Sequence, residues 1–138
     1  MASTCDIDPS LIAEIEAFRF AKRSEGNAAI ICKIDKNKLL IEADEVLESS
    51  SIEDLAEMLP ENSPRYIVLS IELKHSDGRL SFPLVFIYYS PPGVKPELNM
   101  LYASAKTYFQ NKVGLGKVFD VQNAGTLTKE WMSSMLLK

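Results

Sequence analysis

Lys95-Pro96-Glu97-Leu98-Asn99-Met100-Leu101-Tyr102-Ala103-Ser104-Ala105-Lys106-Thr107-Tyr108-Phe109-Gln110-Asn111-Lys112-Val113 is the stretch around which the rest of the chain is organised. Pro96 suits the first turn of a helix, where its missing N–H is not needed, and Glu97 favours the positive end of the helix dipole. Leu98, Leu101, Tyr102, Ala105 and Phe109 recur at i, i+3, i+4, i+7 and i+11, an apolar stripe at helical period. At roughly 100° per residue, Met100, Ser104, Thr107 and Asn111 point away from that stripe. The spacing therefore predicts a helix with a core side and a mildly apolar outer side, and the outer side is the candidate functional surface.

Working outward, Leu84-Val85-Phe86-Ile87-Tyr88 reads as a central strand covered on both faces, and Ser90-Pro91-Pro92-Gly93 separates it from the helix. Before it lie a strand from Arg65 to about Lys74 and the turn His75-Ser76-Asp77-Gly78, with a return strand from Arg79 to Tyr89. Upstream, Asp8 is a candidate N-cap for an amphipathic helix from Pro9 to about Lys22, stopped by Gly26-Asn27, with Leu11, Ile12, Ile15 and Phe18 on one face. A hairpin follows, Ala28 to Ile34 and Lys38 to about Val46, then a short acidic helix capped by Ser50 or Ser51, running through Met58 and ended by Pro60. After Gly114, Lys117 to Val121 is a short strand. Thr126 or Thr128 caps a last helix in which Leu127, Trp131, Met135 and Leu136 pack inward. A long helix between a central strand and a short one demands a crossover, so part of the sheet is parallel. The expected class is α/β (α+β), a mixed sheet with helices on both faces.

At 138 residues the chain is expected to form one domain with its own core, residues 1–7 being a flexible tail. No run approaches the roughly 18 apolar residues that span a bilayer, and the N-terminus lacks the basic and apolar regions of a signal peptide. Two cysteines, Cys5 and Cys32, are too few for a disulfide framework, so a reduced cytosolic protein is expected. A net charge of −4 argues against a partner recognised through its phosphates, so no nucleic acid is expected. The charge is segregated: Arg19, Lys22, Arg23, Lys33, Lys36 and Lys38 precede an acidic run from Glu42 to Glu61 that has no basic residue. Solvated faces explain each cluster singly, but together they describe a polarised molecule able to dock an acidic partner.

Catalytic chemistry finds little support. The single histidine, His75, falls in a hairpin turn, without a Ser–His or Cys–His pair and its orienting partner. Two cysteines and one histidine, widely spread, form no zinc pattern, and Asp35-Lys36-Asn37 is too short for a calcium loop. Gly114-Leu115-Gly116-Lys117 lacks the spacing and the strand–helix context of a phosphate loop; helix termination explains Gly114. A non-catalytic protein without metal or cofactor is expected.

Leu84-Val85-Phe86-Ile87, Pro92, Lys95-Pro96-Glu97 and Met100-Leu101-Tyr102-Ala103-Ser104-Ala105-Lys106 resemble, in this order, the actin-depolymerising factor homology domain. There a hydrophobic strand leads through a proline turn into a long actin-binding helix with Met-x-Tyr-Ala-x-x-Lys. Within that superfamily the chain is most similar to the glia maturation factors, over nearly its whole length. Phe18-Arg19-Phe20, Asn27-Ala28-Ala29-Ile30-Ile31, Pro64-Arg65-Tyr66, Ser81-Phe82-Pro83-Leu84 and Leu127-Thr128-Lys129-Glu130-Trp131 agree as well. The combination is diagnostic; no single motif is.

The resemblance implies a five- or six-stranded mixed sheet between helices. It implies a monomer that binds the actin-related protein 2/3 complex, inhibits nucleation and takes apart filament branches, with weak or no binding to actin itself and no membrane. Such a protein is cytoplasmic and cytoskeleton-associated, at cortical branched actin and also in the nucleus. Carried onto matching positions, the partner surface is Arg19, Lys22, Lys95, Met100, Ser104 and Lys106, with Arg23 beside it. A second surface comprises Lys74, Asp77, Arg79 and Glu130. Ser3 stands where cofilins carry a regulatory phosphorylated serine. Cofilin-type helices place lysines just before the Met; here those positions read Glu97-Leu98-Asn99, which weakens attraction to the acidic surface of actin. The competing readings are a cofilin-like severing protein and a small hydrolase or transferase with an unrecognised cleft.

Overall fold

The computed structural model describes residues 5–20, 27–115 and 117–136. In chain order these form β1 (Asp6–Ile7), α1 (Pro9–Phe20), β2 (Asn27–Asp35), β3 (Leu40–Ser50), α2 (Ile52–Glu57), β4 (Arg65–Ser70), β5 (Leu73–Lys74), β6 (Leu80–Ser81), β7 (Leu84–Tyr89), α3 (Pro96–Val113), β8 (Val118–Val121), a 3-10 turn at Ala124–Thr126 and α4 (Lys129–Leu136). Six strands make one mixed sheet in the order β1-β3-β2-β4-β7-β8, while β5 and β6 pair as a separate ribbon. The class read from the sequence is the one observed. The expected crossover is present: β8 runs parallel to β7, and α3 connects them.

Period-two alternation in the central strands sends side chains into two cores. Ile30, Cys32, Ile34, Tyr66, Val68, Phe86 and Tyr88 face α1 and α3, meeting Leu11, Ile15, Tyr102, Ala105 and Phe109. Ala29, Ile31, Ile67, Leu69, Val85, Ile87 and Tyr89 face the other side, where Ile52 and Leu55 of α2 and Met132 of α4 cover them. On the α3 side, Tyr66 packs against four rings, those of Phe86, Tyr88, Tyr102 and Phe109, with centroids 5.3–5.8 Å apart.

Several local expectations change. Residues 6 and 7 are no tail: they pair parallel with Leu40 and Ile41, and Cys5 is buried beside them. The hairpin turn consumes residues 36–39, since Asp35 accepts the backbone N–H groups of Asn37 and Lys38 and Leu39 adopts φ 50°. The second hairpin strand therefore starts at Leu40 and runs on to Ser50. The predicted strand pair 65–74 and 79–89 is broken in the middle, because Pro83 has no N–H to continue the ladder past Ser70 and Leu84. What remains beyond the break is the β5–β6 ribbon, whose turn ends on Gly78 at φ 89°. The continuation of α1 to Lys22 and its stop at Gly26 lie outside the described residues.

At α4, Thr128 provides the cap, its Oγ1 accepting the Trp131 N–H at 3.1 Å. The expected inward Met135 is 36% exposed, whereas Met132 is fully buried. A short helix laid on a sheet buries a narrow stripe, and here that stripe is Met132 flanked by Trp131 and Leu136. The N-terminus of α4 is further held by Glu53 of α2, whose Oε2 accepts the Lys129 N–H at 2.8 Å. That hydrogen bond holds the Glu53 carboxyl below its ordinary value. A depressed carboxyl contributes stability above the unfolded-state value and loses it as pH falls through the folded one. Acid titration followed by the fluorescence of Trp131, the only tryptophan, is expected to show an early local loosening of α4 that Glu53→Gln removes.

Core substitutions separate packing from hydrogen bonding. Phe109→Ala is expected to cost about 3–5 kcal/mol in urea unfolding, as buried ring truncations do. Tyr102→Phe is expected to cost about 1–3 kcal/mol, because it leaves the buried Ile34 N–H without its acceptor.

Candidate functional site

The candidate surface is built on α3. Lys95 stands at the N-cap in extended conformation without a side-chain cap, and Pro96 follows as the first helical residue. Tyr102, Ala105, Phe109 and Val113 are buried, which fixes which side of the helix faces solvent. Met100 lies on that outer side and is 72% exposed, the most exposed large hydrophobic among the described residues. Ser104 is one turn further along, its hydroxyl donating to the Leu101 carbonyl at 3.0 Å. Tyr108, 36% exposed, continues the same ridge at i+8 from Met100. The stripe read from the sequence omits Tyr108, although its i+4 spacing from Ser104 was available as a signal.

The flanking charges do not behave alike. Lys95 is exposed at the start of the helix, on the side of β2. Lys106 is only 23% exposed: its ammonium lies 3.0 Å from Asp120 of β8 and 5.2 Å above the Tyr88 ring. It is neutralised within the fold. Arg19, expected as an exposed partner contact, also has an internal role. Its guanidinium donates to the Val113 carbonyl and lies 3.4 Å from that of Gly114, at the C-terminus of α3. Gly114 closes the helix there at φ 71°, and its N–H and that of Leu115 both return to Gln110. Arg19 thus satisfies carbonyls left over at a helix end and places positive charge at the negative pole. Lys22, Arg23 and Ser3 lie outside the described residues.

Of the second expected surface, Lys74, Asp77 and Arg79 share the β5–β6 ribbon and its turn, while Glu130 is in the first turn of α4. Leu73 and Met132 belong to one core, so ribbon and helix sit on the same side of the sheet. Asp77 accepts from both the backbone and the guanidinium of Arg79, which hold its carboxyl below the usual range. Leu80, 44% exposed, adds apolar surface to the ribbon. His75 is bound within the same ribbon, its Nε2 2.8 Å from Ser81 Oγ. Among the described residues no group of three or more His, Cys, Asp or Glu is placed to hold a metal ion.

A mixed sheet between two helix layers, with one long helix presenting an exposed outer ridge, defines an actin-depolymerising factor homology domain. The family model described as cofilin/tropomyosin-type actin-binding protein matches residues 4–136. Human glia maturation factor beta is 46% identical over 96% of this chain and 92% of its own length. The Drosophila melanogaster glia maturation factor is 37% identical over 96% of this chain and 95% of its own. The solution structure of the Caenorhabditis elegans glia maturation factor superposes with a TM-score of 0.80 at 36% identity, covering 97% of this chain and 99% of the other. The chain belongs to the cofilin/tropomyosin-type actin-binding protein family and, within it, to the glia maturation factors. That makes it a glia-maturation-factor-type member of a family of actin-cytoskeleton regulators.

The position of Arg19 alters what its removal does. Arg19→Ala is expected to lower stability by about 1 kcal/mol, through the lost helix-end hydrogen bonds and dipole interaction. Thermal unfolding checks this, and Arg19→Lys, which keeps charge but loses the fork, recovers only part of the loss.

Proposed function

We propose that this chain binds the actin-related protein 2/3 complex as a single monomeric domain, inhibits actin nucleation and promotes debranching of filament networks. The observation that carries the reading is Met100, a large apolar side chain held in solvent by a helix whose opposite side is fully packed. Exposed apolar groups on a rigid element, ringed by polar ones, are the usual centre of a docking contact. Ser104 and Lys95 flank it, and Lys106 joins once a partner carboxylate replaces Asp120. Arg19 acts here by holding α1 to the end of α3, and its sequence neighbours Lys22 and Arg23 add basic partner contacts. Glia maturation factor relatives at 46% and 37% identity support this choice over a severing protein, as does Glu97-Leu98-Asn99 in place of a lysine run. The ribbon residues Lys74, Asp77 and Arg79, with Glu130, form the second contact. The protein acts in the cytoplasm at branched actin and in the nucleus, and phosphorylation of Ser3 adds negative charge to the N-terminal segment.

Branch dissociation watched filament by filament tests the reading. The protein is expected to shorten branch lifetime and to bind filaments alone weakly. Met100→Ala, which leaves the fold intact because the side chain is exposed, is expected to weaken complex binding about tenfold. Unchanged branch lifetimes, or tight co-sedimentation with filaments alone, overturn it in favour of a cofilin-like protein.

A further inference from the structure

A groove of about 380 Å³ lies between the end of β2, the loop before β4 and the first turn of α3. Lys33, Lys36, Arg65 and Lys95 line its rim, and Ile34, Leu98 and Tyr102 provide an apolar floor. The charge is unbalanced. Asp44 serves two of the cations at once, lying 3.8 Å from Lys33 and 3.2 Å from Arg65. Lys36 and Lys95 are exposed and have no ion pair among the described residues. Four cations against one carboxylate leave an excess of three positive charges, on a chain whose net charge is −4. A concave surface of one sign concentrates ligands of the other.

The floor points to the kind of anion. The Tyr102 hydroxyl lies beneath the groove and accepts the Ile34 N–H at 2.9 Å, which fixes the floor to the end of β2. Ile34 and Leu98 beside it give an apolar side chain somewhere to sit, which a phosphate headgroup has no use for. The volume falls within the about 300–1,000 Å³ of specific ligand sites and admits an extended segment rather than a folded surface.

We propose that this groove binds an acidic, extended segment of a partner protein, its carboxylates paired with Lys36 and Lys95 and one apolar side chain seated on Ile34 and Leu98. Met100 and Ser104 take no part in it, so the inference does not rest on the complex named above. A partner docked on the outer face of α3 is held a second time by such a segment, with the gain in avidity that tethering brings.

Fluorescence anisotropy tests this, with the full chain titrated into a fluorescein-labelled synthetic peptide of aspartates and glutamates around a single leucine. Saturable binding is expected, weakened by salt and weakened again when the leucine is replaced by serine. The Lys36→Ala/Lys95→Ala double variant is expected to bind roughly tenfold more weakly. Lys36→Ala alone must also weaken it, which separates the groove from any role of Lys95 on the α3 surface. Lys38→Ala is expected to bind as the parent does, since Lys38 pairs with Asp35 at 3.9 Å and does not line the groove. Equal peptide binding by parent and double variant overturns the proposal. So does failure to bind the peptide together with Lys36-dependent binding to phosphoinositide vesicles, which assigns the groove to a lipid surface.

Discussion

The position of the long helix depends on Tyr102. Its carbonyl accepts the hydroxyl of Tyr66 from the middle of the sheet, and its own hydroxyl accepts the N–H of Ile34 where β2 ends. One residue therefore ties α3 to two neighbouring strands, and the stacked rings of Tyr66 and Phe109 fill the space between them. Burial pushes the Tyr66 phenol far above its ordinary value, so it remains a donor at every pH the protein meets. Apolar packing alone is non-directional and leaves a helix able to slide or roll; directional hydrogen bonds in a dry core do not. Which residues α3 shows to solvent depends on this pin.

The exposed ridge Met100–Ser104–Tyr108 is the consequence. With Tyr102 and Phe109 anchored inward, the helical repeat leaves these three no other direction. A rigid platform of this kind suits recognition, because its side chains lose little freedom on binding. The charges around it are a mixed population. Lys95 is exposed without an ion pair among the described residues, while Lys106 is occupied by Asp120 and Tyr88, and Arg19 by the last carbonyls of α3. A partner meets the first directly and has to displace Asp120 to use the second. Counting basic residues in the sequence overstates the positive charge this face offers.

Much of the fold was legible from residue order. The apolar runs of β2, β4 and β7, the stripe on α3, the Asp8 cap and the Gly114 stop are local signals, and they are used as read, while of the two serines offered as the α2 cap Ser51 serves. Failures share one cause. Pro83 broke a strand pair because its missing N–H mattered to a neighbour across the ladder, and Asp6–Ile7 became a strand because β3 presented an edge to it. Met132 rather than Met135 enters the core, where the start of α4 is held by Glu53 of α2 and by Thr128. The site follows the same pattern: periodicity marks Met100, whereas the basic groove is assembled from residues far apart in the chain.

Sequence alone determined the two-sided character of the long helix, the class of fold and the family, because these depend on periodicity and on motifs in a fixed order. Tertiary structure alone decided what each charge does. Arg19 meets Val113 94 residues away, and Lys33, Arg65 and Lys95 reach one groove from three separate elements. A charge acts through whatever lies within a few ångströms of it, and nothing in the order of residues specifies that neighbourhood until the chain has folded.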